Sequence, residues 1–442
     1  MSNVRLARGV LVALAGSLAV VLATSTVTGA ASSTASAPGV TDDSIKIGFI
    51  TSKTGPAASS SQYSDLGCKA RIGAENANGG VNGRKIDVVY KDDQTAQNLL
   101  QAQDLVQNDK VYLVINDSAV AFTSYRWILD NGVPLIGGGF DGNYYGAPGN
   151  EKVISLFGNG PPVSTIQTTL TPELMKSLGA KKVAALGYGA SPSSVAQVKS
   201  FMQYAVPALG LDPVYTNTSI DFGTADVGPL ALGIKSAGAN AGYYVMDLST
   251  NLALARALQQ NGVTMKAQLM ATGYGQNLLD QPVAKTLGPD VVFGSIWAPV
   301  EVHNKATERF QSALKKYAGY TGIPDIGVYT GYIACDLAVI GLQRQGNDLD
   351  QATFSDNLRS VGTVNPGRGL GCSDINLSLE TYGKIVDTGD KNQRACEWFL
   401  RVKDGNFVIL KPKGSSASYW TGDLVKASVP PQYTVPTTTA KK

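Results

Sequence analysis

The chain of 442 residues is 43% hydrophobic and 16% charged, a length that predicts two or three domains and a balance that supports a sizeable core. The low charge and 49 glycines without a Gly-X-Y period exclude a coiled coil, an acidic disordered chain and collagen. A formal net charge of +3 without a basic run excludes extended nucleic-acid contacts, and a single histidine, His303, leaves little scope for histidine catalysis or metal binding.

Arg5 and Arg8 precede an apolar run over 9–23, followed by small residues, so 1–35 reads as a signal peptide. The run is shorter than the roughly 20 residues that span a bilayer. No cysteine follows it to carry a lipid, and no later apolar run reaches spanning length. A retained anchor is the alternative; the expectation is an exported, soluble protein of the periplasm or cell envelope. Four cysteines in such a chain read as two disulfides rather than a metal site.

Structure begins at Ile45. Strands over 45–50, 86–90, 112–115 and 134–136 alternate with helices over residues around Leu66–Ala74, 98–108 and 119–131. A second run follows: helices over 164–178, 193–209, 228–236 and 252–261, with strands over 183–187, 213–219, 242–246, 268–271 and 291–297. Such alternation means βαβ units and mainly parallel sheet, closing as one barrel or as two doubly wound lobes. Helices over 305–317, 328–343 and 351–361 come next. Segments 370–384 and 395–410 alternate as a β-hairpin would, and 426–442 is tail.

No enzyme motif stands out. Gly137 to Gly142 matches G-x-G-x-x-G, but loop rather than helix follows it, so a flexible turn is the better reading. Asp92-Asp93 at a strand end reads as a turn or cap. The strand ends, where open α/β sheets bind ligands, are Asp117-Ser118, Gly138 to Asp141, Tyr188, Asp247 and Gly273-Tyr274. This set suits a modest organic molecule better than a polyphosphate.

The chain resembles the type I periplasmic solute-binding proteins, the group of the leucine/isoleucine/valine-binding protein. The likeness is carried by Ile45-Lys46-Ile47-Gly48, Thr54-Gly55-Pro56, the string Asn76 to Ile86 with Asn78-Gly79-Gly80-Val81-Asn82-Gly83-Arg84, Asp92-Asp93, Asn131 to Ile136, Asp221-Phe222 and Leu254 to Val263. It implies an α/β fold of two doubly wound parallel-sheet lobes joined by three crossover strands, near Phe157, Trp297 and Asn365. Lobe one is then 44–157 with 298–365, and lobe two 158–297 with 366–425. The same mapping implies disulfides Cys68–Cys335, between helices of lobe one, and Cys372–Cys396, between the arms of the late hairpin.

The resemblance also implies a site. Ser118 matches a serine that takes a ligand carboxylate, with Ala119 supplying an amide; capping its own helix is the alternative. Gly139 matches a backbone contact, beside Phe140, and Asp141 stands where amino-acid binders carry a hydroxyl. The position of the acid that pairs a ligand ammonium falls near Gly273, with Asp247 as a neighbouring replacement. The family's aromatic wall positions fall near Ser193 and Asp247 rather than on tyrosines; read from the residues themselves, Tyr188 and Tyr274, with Tyr144 and Tyr145, offer flat walls. These departures point to a hydroxylated, amide-bearing or aromatic solute over a simple amino acid. The implied function is a non-enzymatic, monomeric solute-capture subunit, without cofactor or metal. It would deliver a small molecule to the membrane permease of an ABC importer by cleft closure. The competing readings are an exported hydrolase using carboxylates such as Asp141 and Asp247, and a ligand-sensing domain.

Overall fold

The computed structural model describes residues 37–137, 149–157, 166–379 and 395–429. The first sheet grows from β1 (Ser44–Thr51), α1 (Ser64–Ala77), β2 (Lys85–Asp92), α2 (Asn98–Gln107), β3 (Val114–Asp117), α3 (Tyr125–Asp130), β4 (Leu135–Gly137) and β5 (Val153–Ser155). Its five strands are all parallel, in the order β2-β1-β3-β4-β5. Ile45, Ile47, Phe49 and Ile50 of β1 are wholly buried, as expected of a strand covered on both faces by crossover helices.

Continuing along the chain come β6 (Ile166–Thr168), α4 (Leu170–Ser177), β7 (Lys182–Tyr188) and α5 (Pro192–Ser200). A π-helical turn joins α5 to α6 (Val206–Ala208), followed by β8 (Asp212–Ile220), α7 (Gly228–Ser236), β9 (Ala241–Val245), α8 (Leu248–Gln260), β10 (Ala267–Met270), α9 (Gln276–Leu279) and β11 (Val291–Ser295). Then α10 (Lys305–Ala313), α11 (Ile326–Gln345) and α12 (Phe354–Arg359) precede β12 (Thr363–Val364), β13 (Ile375–Asn376), β14 (Ala395–Lys403), β15 (Asn406–Ile409), β16 (Trp420–Gly422) and β17 (Leu424–Lys426). The second sheet runs β15-β14-β11-β10-β9-β7-β8, with β16 on β14; β7 to β11 are parallel and β14 joins antiparallel. Two doubly wound sheets, rather than one barrel, are therefore what the βαβ alternation builds.

α11 returns to the first sheet and lies parallel to α1. Glycines permit the approach: a side chain at Gly67 would meet the Val328 carbonyl oxygen at 1.9 Å, and one at Gly331 the Ser64 carbonyl oxygen at 1.9 Å. Cys68 and Cys335 are bonded across this contact, with Cα atoms 5.3 Å apart. By length and composition α11 could cross a membrane, which corrects the expectation that no later segment reaches that size. Its residues are instead mostly buried in the core, the usual fate of an apolar helix packed on all sides.

Three further expectations are corrected. Segment 119–131 is a single 3₁₀ turn (Ala121–Thr123) and the six-residue α3, because the Ser124 hydroxyl bonds Asn98 and Asn116 and its backbone leaves helical geometry at φ −123°. Ile166–Thr168 is a strand, since it pairs antiparallel with the distant β17. The late hairpin is β14–β15, turning at Asp404-Gly405, so Cys372 is not on one of its arms. Cys372 follows Gly371 and bonds Cys396 of β14. Residues 380–384 lie outside the described residues.

At the passages between sheets, Phe157 stacks on Trp297 at 5.9 Å, and Trp297 on Tyr329 at 6.0 Å. Trp297 forms a β-bridge with Gly371, whose N–H donates to Asn365 Oδ1 at 3.1 Å. The three positions expected at the crossovers are thus neighbours.

Candidate ligand cleft

The parallel part of each sheet reverses its strand order at one point, the place beyond the carboxyl ends of the strands where open α/β sheets bind ligands. In the first sheet that point lies between β1 and β3, where Ser52 and Ser118 stand. In the second it lies between β7 and β9, marked by Tyr188 and Asp247.

Ser118 is buried and its hydroxyl is committed. It donates to Asp93 Oδ2, lies 3.2 Å from Ser52 Oγ and accepts from Val120 N at 3.1 Å. Asp93, also buried, accepts further bonds from Ser52 Oγ (2.7 Å), Thr95 N (2.9 Å) and Asn98 Nδ2 (2.8 Å). Asn98 and Asn116 exchange amide bonds of 3.0 and 2.9 Å beneath it. A desolvated carboxylate needs such a shell of donors, and here serine, asparagine and a backbone N–H supply it, with no cation bonded to it among the described residues. Asp92 instead organises the turn after β1, accepting from Lys53 N and Thr54 N, so the Asp92-Asp93 pair divides between a turn and a core network. Ala119 is half-buried beside Ser118, and with no long helix following it the stacked amides expected there are reduced to one turn.

Two more buried carboxylates meet at the end of β3 and the start of α11. Asp117 accepts from Thr330 Oγ1 at 2.6 Å with the Ser64 hydroxyl nearby, while its Oδ1 and Ser64 Oγ are buried without a hydrogen-bond partner among the described residues. Asp325 caps α11 by accepting from Val328 N at 3.0 Å, while its Oδ2 is buried without a hydrogen-bond partner among the described residues. Burial pushes Asp117 up to about 6, against the pull of those hydroxyls. Burial also lifts Asp325 to about 7, over its backbone bonds and with the Asp117 charge adding to the rise. Asp325 had no local signal beyond a Pro-Asp preceding a helix, a pattern that also fits an ordinary cap.

On the second sheet, Tyr188 donates its hydroxyl to Asp247 Oδ2, with Thr250 Oγ1 2.9 Å from the same phenol oxygen, and its ring lies 4.4 Å from that of Phe222. Burial, then the Asp247 charge, raises the Tyr188 phenol well above its ordinary range. Asp247 caps α8 through Thr250 N (3.1 Å), accepts from Thr250 Oγ1 (3.1 Å), and takes a bond from Ser59 Oγ at 3.0 Å. Its two oxygens therefore already hold four protein donors. Tyr274 is placed away from these groups: its ring packs against Phe407 at 4.8 Å and Tyr329 at 6.4 Å, and its hydroxyl donates to Glu301 Oε2 at 2.8 Å. Gly139, Phe140, Asp141, Tyr144 and Tyr145 lie outside the described residues.

The sheets also meet at loops. Gln276 N donates to Ile323 O at 2.8 Å, and Asn277 Nδ2 to Ser59 O at 3.4 Å. Gly275, at φ +149°, leaves room for Asp325, whose Cβ would stand 2.5 Å from a side chain there.

A family model described as periplasmic binding protein matches residues 44–406. The Leu/Ile/Val-binding protein homolog 7 of Brucella suis biovar 1 is 24% identical over 402 residues, covering 85% of this chain and 93% of that protein. Among solved structures, the fatty acid ABC transporter substrate-binding protein from Thermomonospora curvata superposes with a TM-score of 0.67 at 18% identity, over 85% of this chain and 93% of that one. The branched-chain amino acid transporter substrate-binding protein LivJ from Streptococcus pneumoniae, in complex with isoleucine, gives 0.63 at 19% identity, over 84% and 100%. At such identities the structural likeness speaks for the fold.

Proposed function

The chain belongs to the periplasmic binding protein family, and from that premise we propose that it captures a small organic solute outside the cytoplasm and hands it to the membrane permease of an ABC importer. The division expected from the sequence, 44–157 with 298–365 against 158–297 with 366–425, gives two halves that close over the solute. They hinge at the crossovers near Phe157, Trp297 and Asn365, which are linked by the Phe157–Trp297 stack and by Gly371. Export through a signal peptide over 1–35, a monomeric state and the absence of catalysis belong to the same reading. A hydrolase using Asp247 would need a free carboxylate, and both of its oxygens are engaged.

The solute class follows from one observation: Asp117, Asp247 and Asp325 stand buried at the cleft ends of their elements, and their hydrogen-bond partners are hydroxyls and backbone N–H groups rather than cations. The serine expected to receive a carboxylate is spent on Asp93. A solute bearing a free carboxylate would meet buried negative charge there, a cost of several kcal/mol unless paired. A hydroxylated, amide-bearing or aromatic solute presents O–H or N–H donors to the carboxylate oxygens still unpaired among the described residues, Asp117 Oδ1 and Asp325 Oδ2. We therefore favour it over leucine, isoleucine or valine, with Ala119, Gly139, Phe140 and Asp141 completing the site.

A thermal-shift screen of amides, polyols, aromatic alcohols, benzoate and the branched-chain amino acids tests this, since ligand stabilises by RT ln(1 + [L]/Kd). Calorimetric follow-up is expected to give binding by a neutral member of the panel. Micromolar or tighter leucine binding abolished by Asp247→Ala would return the protein to the amino-acid class.

A further inference from the structure

We propose that Ser59 is a positioning residue for capture, a latch that holds the closed cleft by donating its hydroxyl to Asp247 across the two halves. The inference rests on the reading of a cleft that closes, but it needs no knowledge of the solute.

Ser59 lies in the one-turn 3₁₀ helix Ala58–Ser60 that follows β1 of the first sheet, whereas Asp247 begins α8 behind β9 of the second. The bond between them, Ser59 Oγ to Asp247 Oδ1 at 3.0 Å, spans 188 positions of sequence. Asp247 is 5% exposed, and its other donors all come from its own half: Thr250 N, Thr250 Oγ1 and the Tyr188 hydroxyl. Those bonds fix the carboxylate in place before the halves meet. One acceptor direction remains, and the first half fills it. The same turn is engaged a second time, because the Ser59 carbonyl accepts from Asn277 Nδ2 at 3.4 Å. Beside it Pro56 approaches Gly223 closely enough that a side chain there would meet its Cβ at 3.1 Å.

A hydrogen bond to an ionised group is stronger than a neutral one, and a buried carboxylate stripped of a donor is costly. The Ser59–Asp247 bond exists only with the halves together, so it favours the closed arrangement by its full net strength. Because protein supplies both partners, that bias is present with the cleft empty. Capture then needs less binding energy from the solute.

The full chain without added solute is compared as wild type, Ser59→Ala and Ser59→Thr. Small-angle scattering reads the radius of gyration, and hydrogen exchange reads segments 55–62, 247–252 and 275–279. Loss of the donor is expected to lower the closed-to-open ratio about ten-fold, the scale of one bond to a charged group. Ser59→Ala should therefore show a larger radius of gyration and faster exchange in all three segments, while Ser59→Thr, which keeps the donor, stays with wild type. The urea midpoint of Ser59→Ala should fall by no more than the latch itself supplies, since a half-buried serine carries little of the core. Wild type and Ser59→Ala with equal radii and equal exchange would overturn the latch. So would a change in Ser59→Thr equal to that in Ser59→Ala. A failed solute screen would leave both readouts standing, so the two proposals fail separately.

Discussion

Arg71 Nε lies 2.6 Å from Asp336 Oδ1, and the two side chains face each other between parallel helices with only 4% and 2% of their surface exposed. Glu75 takes a second bond from the same guanidinium at 2.9 Å. Burial raises the Asp336 carboxyl, and Arg71 pulls it back, so each charge depends on the other. Removing Asp336 leaves the buried guanidinium with Glu75 as its remaining carboxylate and its Nε without that partner. Asp336→Ala is expected to lose about 3–5 kcal/mol in urea unfolding, and the double variant Arg71→Met/Asp336→Leu to lose less than that single one. A double variant no more stable than Asp336→Ala would count against the pair as the cause.

The glycines beneath this pair set the helix spacing. Gly67→Ala or Gly331→Ala places a methyl group within 1.9 Å of a carbonyl oxygen of the facing helix. Each is expected to cost about 1–3 kcal/mol by overpacking, read from the denaturant midpoint. An unchanged midpoint would mean that the helices separate freely.

The disulfide between α1 and α11 closes a loop of 267 positions, the other one of 24. In the chain-entropy model these are worth about 5.6 and about 3.5 kcal/mol, so the alanine pair at Cys68 and Cys335 should destabilise more than the pair at Cys372 and Cys396. Calorimetry of the two double variants gives the order directly, and the reverse order would reject the entropic account.

How much of this was legible beforehand differs by region. Ile45 to Ile50, Asn78-Gly79-Gly80 and the alternation through Trp297 announce βα units, because burial on both faces writes apolar runs and turns need glycine. Ser124 and Ile166 misled for opposite reasons: a side-chain network outcompeted a helix in one case, and a strand partner more than 250 positions away decided the other. At the cleft, Tyr188 and Asp247 were visible as strand ends. Their mutual bond was not, nor was the commitment of Ser118 to Asp93, since periodicity locates a residue without naming what its hydroxyl touches.

Acidity near the cleft gives a pH dependence of definite sign. Both carboxyls start from 3.8 and rise on folding, Asp117 to about 6 and Asp325 to about 7. Between those values and 3.8 the native state binds more protons than the unfolded chain, so their contribution to stability falls as pH rises from about 4 to about 7 and then levels off. Asp325→Asn keeps a capping oxygen and removes one titration. It is expected to be more stable than wild type at pH 8 by at least about 1 kcal/mol, with the advantage shrinking toward pH 5. Urea midpoints at four pH values test this, and parallel curves for the two proteins would refute it.

The partnership of α1 with α11 carries a consequence for the order of assembly. Strands β7 to β11 follow one another along the chain, so the second sheet needs nothing from beyond Gly294 to bring its parallel strands together. The strands of the first sheet are contiguous as well, but its covering helices are not. Its helix α1 waits for residues 326–345 to cover Gly67, Cys68 and Arg71, and these arrive only after the whole parallel part of the second sheet has been made. A chain emerging from its amino end thus holds an early segment with a bare apolar flank while a later segment matures. That interval, set by connectivity rather than by stability, is when the nascent protein is most open to self-association.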